Sequence, residues 1–270
     1  MAHVPLPLAP RRFLETARTD TWWVQPAVVF LGLTVFVAYS TWAALQGAHY
    51  WYSQNGAQYL SPFYSPELFG DSPHALFGPK PAWWPGFLPF SPAMLILWAP
   101  VGFRFTCYYY RGAYYKAFWA DPVTCAVGEP RSSYRGEHGF PLILQNVHRY
   151  FLYVALVFIV ILSHDVWKAL WFIDASGQAR FGVGVGTIIL AATTTLLGGY
   201  TLGCHSLRHL VGGVLDRIAE RPLRKAAYDC ASCLNRGHMK WAWLSLVMVG
   251  FADFYVRMCS MGVWRDWRLF

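Results

Sequence analysis

The stretch LILQNVHRYFLYVALVFIVILSHDVW, residues 142–167, decides how this chain must fold. Its middle is a long apolar run, and polar residues crowd its two ends: Gln145, Asn146, His148 and Arg149 at one, His164 and Asp165 at the other. A helix needs about 20 apolar residues to cross a hydrocarbon core about 30 Å thick, and this stretch has them. Stretches near 24–45, 91–110, 183–207 and 239–261 read the same way. The expected architecture is therefore all-α: an integral membrane bundle of about five transmembrane helices, one domain over residues 1–270. Pro100 falls inside the second span, a kink that membrane helices tolerate when neighbours satisfy the freed backbone.

Composition agrees. Charged residues are 13% of the chain and hydrophobic residues 56%, whereas a soluble domain carries roughly 25% charge. The net charge of +8 does not point to nucleic acid, because the basic residues sit in loops and form no stripe. They read as orientation signals, since cytoplasmic loops retain Lys and Arg. Arg11, Arg12 and Arg18 lie in the N-terminal arm, residues 1–23. Arg111, Lys116, Arg131 and Arg135 lie in the second loop, and Arg217, Arg221, Arg224, Lys225 and Arg236 in the fourth. The other loops and the tail carry Lys80, Arg180, Arg265 and Arg268. The N-terminus is expected inside, as a cytoplasmic docking arm, and the C-terminus outside. The first apolar run follows that polar arm and is long enough to span, so no cleavable signal peptide is expected. The loop 46–90 is rich in aromatics such as Tyr50, Trp51, Tyr52, Trp83 and Trp84, expected to anchor an outer cap at the lipid–water interface.

An ionisable residue inside a membrane is costly and marks a site by default. By the orientation above, Cys107, Cys125, Cys204, Cys230 and Cys233 fall on the cytoplasmic side, as do His138, His148, His205, His209 and His238. Cysteines facing a reducing compartment are poor disulfide candidates, which leaves metal binding or core packing. His205 and His209 are i, i+4 and share a helix face, with Cys204 beside them. Gly199 and Gly203 have the small-xxx-small spacing that lets helices approach closely. Cys230 and Cys233 form a single CxxC, where a structural zinc site would use two such pairs. Two redox groups suit the set. One is haem b between histidines of different helices. The other is an iron–sulfur cluster with mixed ligands, as in a Rieske centre, where histidines replace cysteines on one iron. The soluble Rieske motif is absent. A deeper polar group, His164 and Asp165 with Asp253 and Arg257 at i, i+4, reads as a buried ion pair or a proton path.

The runs Cys107-Tyr-Tyr-Tyr-Arg111, Phe140-Pro-Leu-Ile-Leu-Gln-Asn-Val-His-Arg-Tyr150 and Gly199-Tyr-Thr-Leu-Gly-Cys-His205, with His238-Met239, resemble the membrane subunit of actinobacterial succinate dehydrogenase. The resemblance implies a multi-pass bacterial plasma-membrane anchor of respiratory complex II. Its implied partners are a flavoprotein subunit that oxidises succinate and an iron–sulfur subunit that carries electrons to the membrane. The anchor would relay them to a quinone, menaquinone or ubiquinone, through a Rieske-type [2Fe-2S] cluster near the cytoplasmic face. That cluster would take two histidines from His148, His205, His209 and His238, and two cysteines from Cys107, Cys125 and Cys204. Tyr109, Gln145, Asn146, Arg149 and Tyr150 would bind the quinone oxygens. The alternatives are a haem b subunit of complex II or another respiratory dehydrogenase, and, from another class, a non-redox transporter. A transporter would place broken helices and a polar pore at the midplane, whereas the polar residues here gather at the inner face.

Overall fold

Lipid offers a backbone no hydrogen-bond partner, so a spanning segment must satisfy its own amides and carbonyls as a helix. The computed structural model describes residues 12–121, 126–128, 139–140, 142–174 and 176–270. Four described helices are long and apolar enough to cross a membrane: α1 (Val24–Gln46), α4 (His148–Lys168, extended by a 3-10 turn from Leu142), α5 (Val185–Leu202) and α8 (His238–Ser260). At about 1.5 Å per residue, the 23 residues of α1 reach about 35 Å. The helical membrane fold is as expected, but the second span is not one helix. It resolves into a 3-10 turn (Pro92–Leu95), a helix α2 of 8 residues (Trp98–Phe105) and a separate helix α3 (Tyr108–Phe118). At about 12 Å, α2 is too short to cross. The breaks have local causes. Ile96 and Cys107 leave helical geometry, Cys107 at φ −65°, ψ 130°, and Pro92 opens the 3-10 turn where its missing N–H is harmless.

The fourth span is also interrupted. It stops at Gly203, and Cys204 (φ −66°, ψ 139°) is extended before α6 (His205–Gly212) begins. Cys204 therefore does not continue the helix of His205 and His209, as the sequence reading supposed. Helix α7 (Pro222–Arg236) follows and packs on α6.

The chain forms two compact units. The first takes the described parts of Met1–Val35 and Phe105–Asn146. In it Phe30 of α1 meets Phe118 of α3 at 4.8 Å between ring centroids, and Leu14 and Glu15 exchange backbone hydrogen bonds with Gly128. The second unit, Phe36–Arg104 with Val147–Phe270, holds the other elements. There α5 packs against α4 and most extensively against α8. The α5–α8 approach is close because Gly199 lacks a side chain: a Cβ there would stand 2.8 Å from the Trp241 ring.

At one end of this unit two hairpins cap the helices. Strands β1 (Trp51–Gln54) and β2 (Ala57–Leu60) are antiparallel, as are β3 (Trp171–Ile173) and β4 (Ala179–Phe181). The first turn is Asn55-Gly56, both at positive φ, the pairing that a two-residue hairpin favours. Ile173 N–H donates to the Gly56 carbonyl at 2.9 Å and ties the hairpins together. The aromatic loop does more than anchor. Trp83 is exposed, but Tyr50, Tyr52, Tyr59, Phe63 and Tyr64 are buried. Their hydroxyls reach buried acceptors, Tyr64 to the Ala43 carbonyl (2.7 Å) and Tyr50 to Glu67 (2.8 Å). Tyrosine is favoured at such places because its ring is apolar and its tip finds a partner.

Candidate functional site

At the other end of the second unit, the start of α4, the end of α5 and the start of α8 bring three of the expected residues near one another. His148 and Cys204 are both buried, and His148 Nε2 lies 3.1 Å from Cys204 Sγ. The His148 ring stacks on Phe103 of α2 (4.6 Å, 7°), and Phe103 meets Tyr200 of α5 edge-on (5.4 Å). Tyr200 in turn stacks on His238 (5.0 Å, 20°). The result is a continuous layer of four rings with one thiol behind it. The break at Gly203 makes it: extended backbone at Cys204 turns the thiol inward to α4 and frees α6 to leave in a new direction. Asn235 of α7 secures the break by donating to the Gly203 carbonyl at 2.8 Å.

Directly in front of Phe103 and Tyr200 is an apolar cavity of about 300 Å³. Leu97, Val101, Phe158, Leu197 and Val249 line its body, and Phe36, Phe63 and Leu162 extend the lining. Its polar end is Arg104, with Ser40, Thr41 and Thr201 on the wall. Arg104 is fixed rather than loose. Its guanidinium lies over the Tyr200 ring at 4.7 Å, Nη1 donates to the Ala242 carbonyl (3.2 Å) and Nη2 donates to Ser245 Oγ (2.9 Å). A mostly apolar cleft with a few convergent polar groups is the usual form of a small-molecule site.

The other expected residues are spread more widely. His205 and His209 are exposed on α6 and face each other, with Nε2 atoms 3.0 Å apart. Burial and the neighbouring imidazole of His209 lower the His205 pKa from its ordinary value. Arg149 and Tyr150 are exposed at the start of α4, and neither lines the cavity. Cys107, buried at the start of α3, belongs to the first unit, as do Tyr109, Gln145 and Asn146. Cys125 and His138 lie outside the described residues. Cys230 and Cys233 are exposed on α7. Among the described residues no group of three or more His, Cys, Asp or Glu side chains converges as a metal ion requires.

Arg104, Phe103 and Tyr200 are at the site without being among the residues expected from sequence. One signal was available: Arg104 is a permanent charge inside an apolar run, and such residues mark sites. Nothing local could single out Phe103 or Tyr200 from the many aromatics around them.

The family model described as actinobacterial succinate dehydrogenase subunit SdhC matches residues 24–262. A search of curated proteins finds no significant match. Among solved structures, a chain of the Mycobacterium smegmatis Sdh1 complex in the apo form is similar at 40% identity and a TM-score of 0.84, over 97% of each chain.

Proposed function

The chain belongs to the actinobacterial succinate dehydrogenase SdhC family, and from that premise we propose that it delivers the electrons of succinate oxidation to a lipid-soluble quinone held in the Arg104 cavity. As SdhC it is a multi-pass membrane subunit of that complex. The flavoprotein subunit takes two electrons from succinate, and the iron–sulfur subunit brings them to the membrane. Quinone accepts two electrons and two protons and leaves as quinol.

The observation that carries this reading is the fixed guanidinium at the polar end of an otherwise apolar cleft. A quinone ring is apolar and planar, and fits against Phe103, Pro100 and Leu97 of the lining. Reduction places negative charge on its oxygens before protons arrive. A donor already held in place stabilises that charge without reorganisation, and Arg104 is held by three partners. It is also permanently protonated, so it binds and polarises while a different group supplies the proton. On the orientation argued from the basic loops, this end of the helices faces the cytoplasm, where the succinate-oxidising subunits would dock.

The expected Rieske-type cluster is tested by the donors present. It needs four ligands, two Cys and two His. The second unit brings one of each into contact, His148 with Cys204, and His238 stands one ring further along. That is short of a complete set among the described residues. The alternative, haem b, would need two histidines from different helices; His148 of α4 and His238 of α8 answer to that, with His148 also against the Cys204 thiol.

Arg104→Leu tests the proposal in the whole complex. Succinate oxidation by a soluble artificial acceptor should continue at the wild-type rate. Quinone reduction should fall by about 10²–10³-fold, the usual loss for one positioned charge-stabilising donor. Arg104→Lys should recover part of it. Equal quinone reductase activity in Arg104→Leu and wild type would refute the assignment.

A further inference from the structure

The histidine pair on α6 is outside the quinone cavity and is not used by the function proposed above. We infer that His205 and His209 form a surface chelate for a late first-row divalent metal ion of the nickel, copper and zinc class. Helix α6 has 8 residues and starts afresh after the extended Cys204. His205 and His209 are therefore one turn apart on one face, and both are exposed. Their Nε2 atoms are 3.0 Å apart, with ring centroids at 4.5 Å and planes at 79°. A metal bound to imidazole nitrogens at about 2.0–2.1 Å holds two adjacent ligands about 2.9 Å apart at a right angle. It holds them about 3.4 Å apart at a tetrahedral angle, from the same bond lengths. The observed separation falls in that range, so the pair already has the bite of a chelate.

The surroundings permit a cation. Arg208 lies between the two histidines in sequence, but its guanidinium is directed to α7. Nη2 donates to Tyr228 Oη at 2.9 Å, Nη1 reaches Asn235 Oδ1 at 3.4 Å, and the group lies over the Tyr228 ring. No third His, Cys, Asp or Glu converges with the pair among the described residues, so water would complete the coordination. Imidazole without thiolate or carboxylate favours nickel, copper and zinc over magnesium, calcium or manganese.

The test is calorimetric titration of the purified whole complex with Ni²⁺. Wild type should show one saturable site per chain. His205→Ala and His209→Ala should each weaken it by about a hundredfold or more, since one linked ligand of two is lost. His205→Gln keeps a polar partner for His209 and removes one imidazole, so it should lose the same affinity with α6 undisturbed. Cys230→Ser with Cys233→Ser should bind as wild type does, and His209→Ala without metal should keep quinone turnover. Unchanged Ni²⁺ affinity in the histidine variants, or a loss confined to the cysteine variant, would overturn the inference. Neither result bears on Arg104 and the quinone.

Discussion

Replacing Asp253 by Ala should do more damage than replacing Arg257, its partner, by Met. The two are i, i+4 on α8 near its hairpin-capped end, and both are almost fully buried (0% and 1% exposed). Asp253 accepts from Tyr39 Oη (2.7 Å), Ser61 Oγ (2.5 Å) and Arg257 Nε (3.5 Å). Arg257 donates further to the carbonyls of Ala48 (2.8 Å) and Ala43 (3.3 Å) and lies over Trp42. The pair thus pins α8 to the end of α1 and to the segment after the first hairpin. Breaking a buried pair from one side costs about 3–5 kcal/mol, mostly from the charge left behind. The two halves differ. A carboxylate that loses its cation still accepts from two hydroxyls. A guanidinium that loses its anion cannot give up its charge. Asp253→Ala should therefore cost the full amount and Arg257→Met less. At about 2–4 °C per kcal/mol for a chain of this size, Asp253→Ala should lower the melting temperature by about 10 °C. The assay is heat treatment of the detergent-solubilised complex followed by size-exclusion detection of intact material. The double variant Asp253→Leu, Arg257→Met should lose less than the sum of the singles. The reasoning fails if Asp253→Ala melts with wild type, or if Arg257→Met is the worse of the two.

Three further outcomes are expected. Gly199→Ala would put a Cβ 2.8 Å from the Trp241 ring; overpacking of this kind costs about 1–3 kcal/mol, read as a lower melting temperature with α5 and α8 forced apart. Asp266→Ala removes the acceptor shared by Tyr59 Oη (2.9 Å), Tyr255 Oη (2.7 Å) and the Gly186 amide (2.9 Å), so hydrogen exchange should quicken in the C-terminal segment and at the start of α5 while the middle of α8 keeps its protection. The His74 pKa is lowered by burial first and by Lys168 next, with Asp165 and Glu67 pulling the other way. Its contribution to stability is then complete above the ordinary value near 6.5 and is lost as pH falls through the window below it, so proteolysis of the loop 66–80 should rise on acidification in wild type and less in His74→Gln.

Much of the fold is legible from residue order. Four of the expected spans hold a long apolar helix, three of them over nearly the whole stretch and the fourth only as far as Leu202, because a long apolar run in lipid has no alternative to the helix. The second span failed for reasons that are also local. Pro92 opens a 3-10 turn, and Ile96 and Cys107 leave helical geometry, which divides one hydrophobic stretch into a turn and two helices. The Asn55-Gly56 turn is a readable hairpin signal within the aromatic loop. The site was less legible. The contact of His148 with Cys204 joins residues 56 apart in sequence, and both were among the expected ligands. None of the expected quinone donors, Tyr109, Gln145, Asn146, Arg149 and Tyr150, lines the cavity; a cavity is a gap between helices and leaves no mark on any one of them.

The sequence by itself therefore determined that this chain is a helical membrane protein and which family it resembles. The first follows from local composition and from the need of every spanning backbone to satisfy its own hydrogen bonds; the second rests on the runs around Cys107, His148 and Cys204. Only the tertiary structure decided that Arg104 is held at the polar end of an apolar cleft, that His148 meets Cys204, and that His205 and His209 turn to each other. It also moved the tyrosines of the aromatic loop from the lipid interface into a buried, hydrogen-bonded cap. These depend on how α2, α4, α5 and α8 pack and where α5 breaks at Gly203. That packing is a property of many distant residues at once, so no short stretch contains it.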